Sequence, residues 1–432
     1  MQADVALRPC GIRGGIASAG HFAYNRGMYL RMLSFVGLLV FLGIAWVASE
    51  RRRAFPWRTV LSGVGLQLAL GVFVLRTPVG RALFEYIKRG FMTVVDSSKA
   101  GADFVFGPLV PKQGTVLAIT IMCTIIVVST LMALLYHWGV MQRVVRAIAW
   151  VMCRVMRVSG RESLVAAANI FMGMTEAPLF IRPYLNVLTR SEMLALMVSG
   201  MATMAGGVLA VYVSWGVSAV HLLTASVMSA PAALVIAKIM VPPLEQPAED
   251  DEALNNPALH THAVNAFEAI TNGARDGLYL SLNVLAMLIA VISLLWLVNR
   301  GLGACGGLIG LPELSLQGIL GWICRPIAIV MGVPLADTKL VGELLGKQIF
   351  LTEFIAYRSL AENAAVLSPR AVTITTYALC GFANVGSVAI ELGALTTLAP
   401  DRKKDIVELA WRALLGGALA SYCTAAVAGM LL

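Results

Sequence analysis

Two glutamates stand out in the sequence because their surroundings are apolar. Glu176 and Glu353 each follow a threonine, Thr175 and Thr352, inside moderately apolar stretches. An ionisable side chain at membrane depth is expensive and marks a functional site by default. A structural ion pair is the competing explanation, but no Lys or Arg lies within a helical turn of Glu176. Further on, Asn384, Ser387 and Glu391 are spaced by three and four residues. That spacing puts them on one face of a helix resuming near Ser387. A carboxylate, an amide and a hydroxyl aimed at one point suit a polyhydroxylated ligand. Each can share hydrogen bonds with vicinal hydroxyls, and an unmet polar group there is costly. For Asn384 and Ser387 the alternative is glue between packed helices.

The elements that carry these residues follow from composition. Of 432 residues only 13% are charged and 58% are hydrophobic, whereas a soluble globular protein carries about 25% charged residues. A large soluble core, a disordered chain and a disulfide scaffold are excluded. The apolar runs are long and unbroken, which favours helices over the short alternating segments of a membrane barrel. The expected architecture is an all-α polytopic membrane protein. Spans are read at about 33–48, 59–76, 115–139, 192–213, 217–240, 278–298, 371–396 and 407–431, with an interfacial helix over about 80–98. Residues 1–28 read as a disordered extension, and 242–262 as the only long hydrophilic loop. The seven scattered cysteines read as small apolar packers. His260 and His262 in the loop read as solvated, and the net charge of +9 as loop arginines and lysines, with no nucleic-acid partner.

Basic clusters at 51–58, 143–161, 182–190 and 402–412 mark the cytoplasmic side. Placing all four there requires the segment near 164–181 to enter the membrane and return. Gly173, Thr175, Glu176 and Pro178 interrupt it, as a re-entrant hairpin lining a cavity requires. The windows opening at Thr175 and Thr352 then repeat one plan: Thr-Glu, a polar patch with Ser191 or Ser368, and an apolar helix broken by small residues. Glu176 lies 29 residues before Ala205, and Glu353 lies 30 before Ala383. Paired interrupted segments in two oppositely facing halves are the pattern of a secondary transporter with a site near the midplane. An intramembrane enzyme is excluded by the lack of HExxH and by His221 standing alone, and a channel by the two hairpins.

The segments GMTEAPLFIRPYL, TEFIAY, ALCGFANVGSVAI, KAGADFVFGPLV and APDRKKDIVELAWRALLGGALAS resemble the signatures of the concentrative nucleoside transporter family, in order from about residue 30 to 432. The resemblance implies eight spans, two re-entrant hairpins in an inverted repeat, a homotrimer, and elevator-type alternating access. It implies nucleoside uptake across the plasma membrane, a bacterial inner membrane, coupled to Na⁺ or in some members to H⁺. It places the nucleobase at Met174, Thr175, Glu176 and Val208 with Phe382 as an apolar wall. The ribose falls to Glu353, Asn384 and Ser387. Sodium falls to the side chains of Asn169 and Thr203 and to carbonyls near Met172 and Met204. Oxygen-only ligation suits a hard cation, so Na⁺ is favoured, with no other cofactor. The implied division is 29–140 as scaffold helices with an interfacial helix, 141–241 as the first hairpin and transport repeat, 242–340 as cytoplasmic loop, amphipathic helix and scaffold helix, and 341–432 as the second hairpin and repeat.

Three residues depart from the family pattern. Met174 replaces a glutamine that offers donor and acceptor to a base edge, which opens a modified nucleoside or a nucleobase as alternative substrates. Thr352 replaces an asparagine. Glu391 stands where an uncharged residue is usual. It either binds a proton or reaches the cytoplasmic interface and is solvated, and solvation is the expectation.

Overall fold

The computed structural model describes residues 13–109, 116–243, 263–308, 310–311 and 314–432. Seven helical runs among them are long and apolar enough to cross a membrane. They begin with α1 (Arg13–Val47) and α2 (Trp57–Arg76). Between α2 and the next span lies α3 (Pro78–Phe106), longer than the expected interfacial helix. Next come α4 (Leu117–His137) and the amphipathic α5 (Val140–Met156), which buries Val145, Ala149 and Met152. Two short helices, α7 (Arg190–Ala202) and α8 (Gly206–Ser214), together make one span, and α9 (Ala219–Met240) makes the next. The remaining two lie in α10 (Ala266–Leu308) and α16 (Lys403–Leu431), with the shorter α11 (Leu316–Val330) following α10. The crossing expected at 371–396 is built from α14 (Pro369–Ala378) and α15 (Val385–Leu398), each too short alone. Helix α1 starts at Arg13, well before Met28, where the sequence suggested an unstructured extension. His260, His262 and Cys10 lie outside the described residues.

Both hairpins return to where they began. The first rises through α6 (Gly160–Asn169), turns at 170–176 and comes back along a 3-10 segment, Ala177–Val187. Two capping boxes fix its feet: Ser159 with Glu162 opens α6, and Thr189 with Glu192 opens α7. The feet meet where Ser159 Oγ donates to Glu192 Oε1 at 2.6 Å. The second hairpin rises through α12 (Thr338–Phe350) and returns through α13 (Glu353–Asn363). Its feet meet where Ser368 Oγ donates to the Asp337 carboxylate.

The hairpins enter from opposite ends of the bundle, and α16 is the ruler. At its start, Arg402 donates to Leu188 O beside the foot of the first hairpin (2.6 Å). Near its end, Gly429 O accepts from Arg370, two residues past the foot of the second (2.8 Å). A helix of 29 residues spans about 43 Å, more than the ~30 Å hydrocarbon core. The basic clusters gather at one end, as expected: Arg190 pairs with Glu50 (3.0 Å) and Glu408 (3.1 Å), and Arg412 donates to Ala48 O.

Burial divides the helices. In the most apolar stretch of each span, 89% of residues are buried for α7–α8 and 78% for α9 and for α16, against 22% for α4 and 11% for α10. The hairpins, broken helices, α9 and α16 therefore form an inner body, and α4 and α10 pack on each other outside it. That pairing is close because Gly273 and Gly277, four apart, face α4. A Cβ on either would come within 2.8 Å of an α4 atom, the close approach that small-xxx-small spacing permits.

Candidate functional site

Each hairpin tip docks on a break in the helix that follows it. At the first tip, Gly206 N, opening α8, donates to Phe171 O (3.0 Å), and Ser226 on α9 donates to Ile170 O (3.0 Å). Irregular backbone at membrane depth is tolerated when it is satisfied in this way. Asn169 ends α6 and is buried. Its Nδ2 donates to Ser199 Oγ at 3.2 Å, but its Oδ1 has no hydrogen-bond partner among the described residues. Thr203 lies at the break between α7 and α8 and donates to Ser199 O. A buried amide oxygen with no donor, beside a hydroxyl and a helix end that frees carbonyls, fits a hard monovalent cation. Met174 and Val208 are buried, whereas Thr175 and Glu176 are exposed at the tip.

At the second tip, Thr352 caps α13, so Glu353 occupies the first helical position, where the helix dipole favours a carboxylate. Asn384 caps α15. Its Oδ1 accepts from Ser387 N at 2.8 Å and its Nδ2 donates to Glu353 Oε2 at 2.6 Å. One side chain thus joins the tip to the break. The carbonyls freed between α14 and α15 are met by Gln348 from α12 (Leu379 O at 3.3 Å, Gly381 O at 3.2 Å) and by Ser421 from α16 (Cys380 O at 2.8 Å). Phe382 lies half-buried in the same break. Tyr212 of α8 stacks on Tyr357 of α13 with ring centres 4.2 Å apart, so the two repeats share one packed body. Glu353, Asn384 and Ser387, which the resemblance groups, meet through Asn384, and Asn169 and Thr203 both bond Ser199.

The comparisons with known proteins cover nearly the whole chain. Residues 36–109 match the N-terminal model of the Na⁺ dependent nucleoside transporters, 118–219 a nucleoside recognition (gate) model, and 221–429 the C-terminal model of the same transporters. An uncharacterized transporter, YutK, of Bacillus subtilis (strain 168) is 39% identical over 398 residues, 91% of this chain and 98% of that protein. The chain belongs to the Na⁺ dependent nucleoside transporter family. Solute carrier family 28 member 3 of Rattus norvegicus is 41% identical over 418 residues, 93% of this chain, but the chain spans only 59% of that protein's length. The solved structure of CNTnw in an inward-facing, substrate-bound state superposes with a TM-score of 0.88 at 37% identity, over 93% of this chain and 98% of that one. The fold is therefore the all-α, multi-pass membrane architecture of these transporters.

Against the expectation from sequence, Glu391 is not solvated in this member of the family. It is 0% exposed and neither carboxyl oxygen has a hydrogen-bond partner among the described residues. Its helix restarts deep, at the break, so one turn beyond Ser387 is still inside the protein.

A buried polar network near the feet of the first hairpin was also missed. Lys238 of α9 lies 2.6 Å from Glu162 Oε2, in ion-pair contact without hydrogen-bond alignment, and donates to Ser191 Oγ at 3.0 Å. Its signals are in the sequence: Ser-x-x-Glu at 159–162, Thr-x-x-Glu at 189–192, and one lysine inside an apolar span.

Proposed function

We propose that this chain is a sodium-coupled nucleoside symporter of the plasma membrane, working as a homotrimer by elevator-type alternating access. The observation that carries this reading is the Asn384–Glu353 bond, which closes a hairpin tip onto a helix break. A cis-diol can replace that bond with two, one to the carboxylate and one to the amide, with Ser387 beside them. Ribose binding is thus an exchange of hydrogen bonds within a buried site. Met174, Thr175, Glu176 and Val208 face the base, with Phe382 as its apolar wall. Sodium is held by Asn169 Oδ1, Thr203 Oγ1 and the carbonyls of Met172 and Met204. Its charge completes the first tip, and this coupling makes substrate binding depend on the cation. The inner body carries both tips, so it moves as a unit against α4 and α10, exposing the site first to one face and then to the other.

Uptake into proteoliposomes tests this. Labelled uridine, adenosine and a free nucleobase are offered under an inward Na⁺ gradient and then under none. Nucleoside accumulation that ignores the gradient would sink the reading. Asn169→Ala removes one ligand oxygen, so the Na⁺ concentration for half-maximal uptake rises roughly tenfold, the equivalent of one lost hydrogen-bond-strength contact. An unchanged sodium dependence would remove Asn169 from the cation site.

Met174 favours a second reading, a modified nucleoside or nucleobase as substrate, because its thioether neither donates nor accepts strongly. Restoring an amide by Met174→Gln is expected to shift the ratio of uridine to adenosine uptake. An identical ratio means position 174 does not contact the base.

A further inference from the structure

Glu391 is a fully buried carboxyl of the inner body. Both its oxygens are unbonded, and no ion pair reaches them among the described residues. Its position is defined by Gly200 of α7. A Cβ on Gly200 would meet Glu391 Oε1 at 2.9 Å and Met174 Cβ at 2.9 Å. The carboxyl therefore crosses the space over Gly200 toward the turn that carries Thr175 and Glu176. On its own helix it continues the Asn384–Ser387 stripe, so it links the polar run from the second tip to the backbone of the first.

The elements packed most closely on α15 are α7, the return arm of the first hairpin, α16 and the turn before α16, and Met287 of α10 reaches Gly386. On α7 the titratable groups are Arg190 and Glu192, both in its first turn and bonded elsewhere, and none follows as far as Ala202. The return arm carries Arg182 and Tyr184, and the turn Asp401 and Arg402. Helix α16 carries Lys403, Lys404, Asp405, Glu408 and Arg412 near its start, then Tyr422 and Cys423. None bonds the Glu391 carboxyl. An unpaired carboxylate so placed carries a prohibitive desolvation cost. A metal ion would need several oxygens around it, and the neighbours over Gly200 are backbone and the Met174 side chain. A proton needs no further ligand.

We propose that Glu391 is a proton-binding residue of the moving body. It is carried as the neutral acid when packed against Gly200 and the first tip, and it exchanges its proton when that contact opens. The step is the reversible addition of one proton to one carboxylate, with no other co-reactant. Its role in transport rests on the symporter reading above. Raising the pH removes the proton, charges the carboxyl and opposes the packed state, so transport falls as pH rises.

Two measurements on the full-length protein separate the outcomes. The first is infrared spectroscopy of the purified protein at neutral pH. It is expected to contain a protonated-carboxylic-acid carbonyl band that Glu391→Gln removes. An unchanged band overturns the proposal, whether or not the protein transports nucleosides. The second is Na⁺-driven uridine and adenosine uptake between about pH 6 and pH 8. Wild type is expected to lose activity by roughly tenfold per unit once the proton dissociates. Glu391→Gln should flatten that profile and Glu391→Asp retain it. Equal profiles in wild type and Glu391→Gln overturn the proposal. No uptake in wild type condemns the symporter reading and leaves the infrared result to decide on Glu391.

Discussion

Glu353→Gln cuts nucleoside uptake by roughly a hundredfold or more while the protein stays folded. Glutamine has nearly the same shape, and its carbonyl still accepts from Asn384, so the tip keeps its contact with the break. The negative charge disappears. Hydrogen bonds to a charged group contribute about 1.5–3 kcal/mol and are roughly twice as strong as neutral ones. Glu353 also stands at the N-terminus of α13, where the dipole holds a carboxylate ready for donors. A ligand with two hydroxyls therefore loses its strongest acceptor in the variant. Initial uptake rates, with size-exclusion profiles to establish folding, decide the matter. Wild-type rates in Glu353→Gln would take Glu353 out of the site.

The largest effect on stability is expected at Lys238→Met. The change preserves an unbranched apolar stem but leaves Glu162 as a buried carboxylate without its counter-charge. Removing one partner of a buried pair costs about 3–5 kcal/mol, whereas replacing both is often nearly neutral. Lys238→Met with Glu162→Gln should then recover most of the loss. The glutamine carbonyl can still accept from Ser159 N, as the carboxylate does at 2.8 Å, and so keep the helix cap. Thermal unfolding of the detergent-solubilised protein tests both. A Lys238→Met protein as stable as wild type would mean that the pair contributes nothing.

How far the sequence reaches differs from residue to residue. Glu353 and Asn384 were each legible, one in a repeated Thr-Glu window and the other at the break of an apolar helix, but their pairing at one site followed from the family resemblance. The return of the first hairpin was legible too, since the arginines on its two flanks can occupy only one side. Glu391 was misread because helical phase gives the face of a residue but not its depth. Depth depends on where α15 restarts, and the cap supplied by Asn384 sets that start. The Lys238 network stayed hidden for a related reason. Ser-x-x-Glu and Thr-x-x-Glu spell only local caps, and the second use of Glu162, toward a lysine 76 residues away in sequence, exists only once α6 and α9 are packed. The division into an outer pair and an inner body is likewise a fact of burial, invisible in hydropathy because α4 and α9 are both strongly apolar.

The clasped feet of the two hairpins have a mechanical consequence. A loop held at both ends by Ser159 with Glu192, or by Asp337 with Ser368, is a cantilever: stiff at its root and most compliant at its far end. With the roots clasped, any bending of a hairpin is expected at residues 170–176 or 351–352 and not as separation of the roots. The carboxylates Glu176 and Glu353 ride at those far ends, each end held to the helices beside it by a few bonds, so closing around a guest means exchanging bonds at the tips and not at the roots.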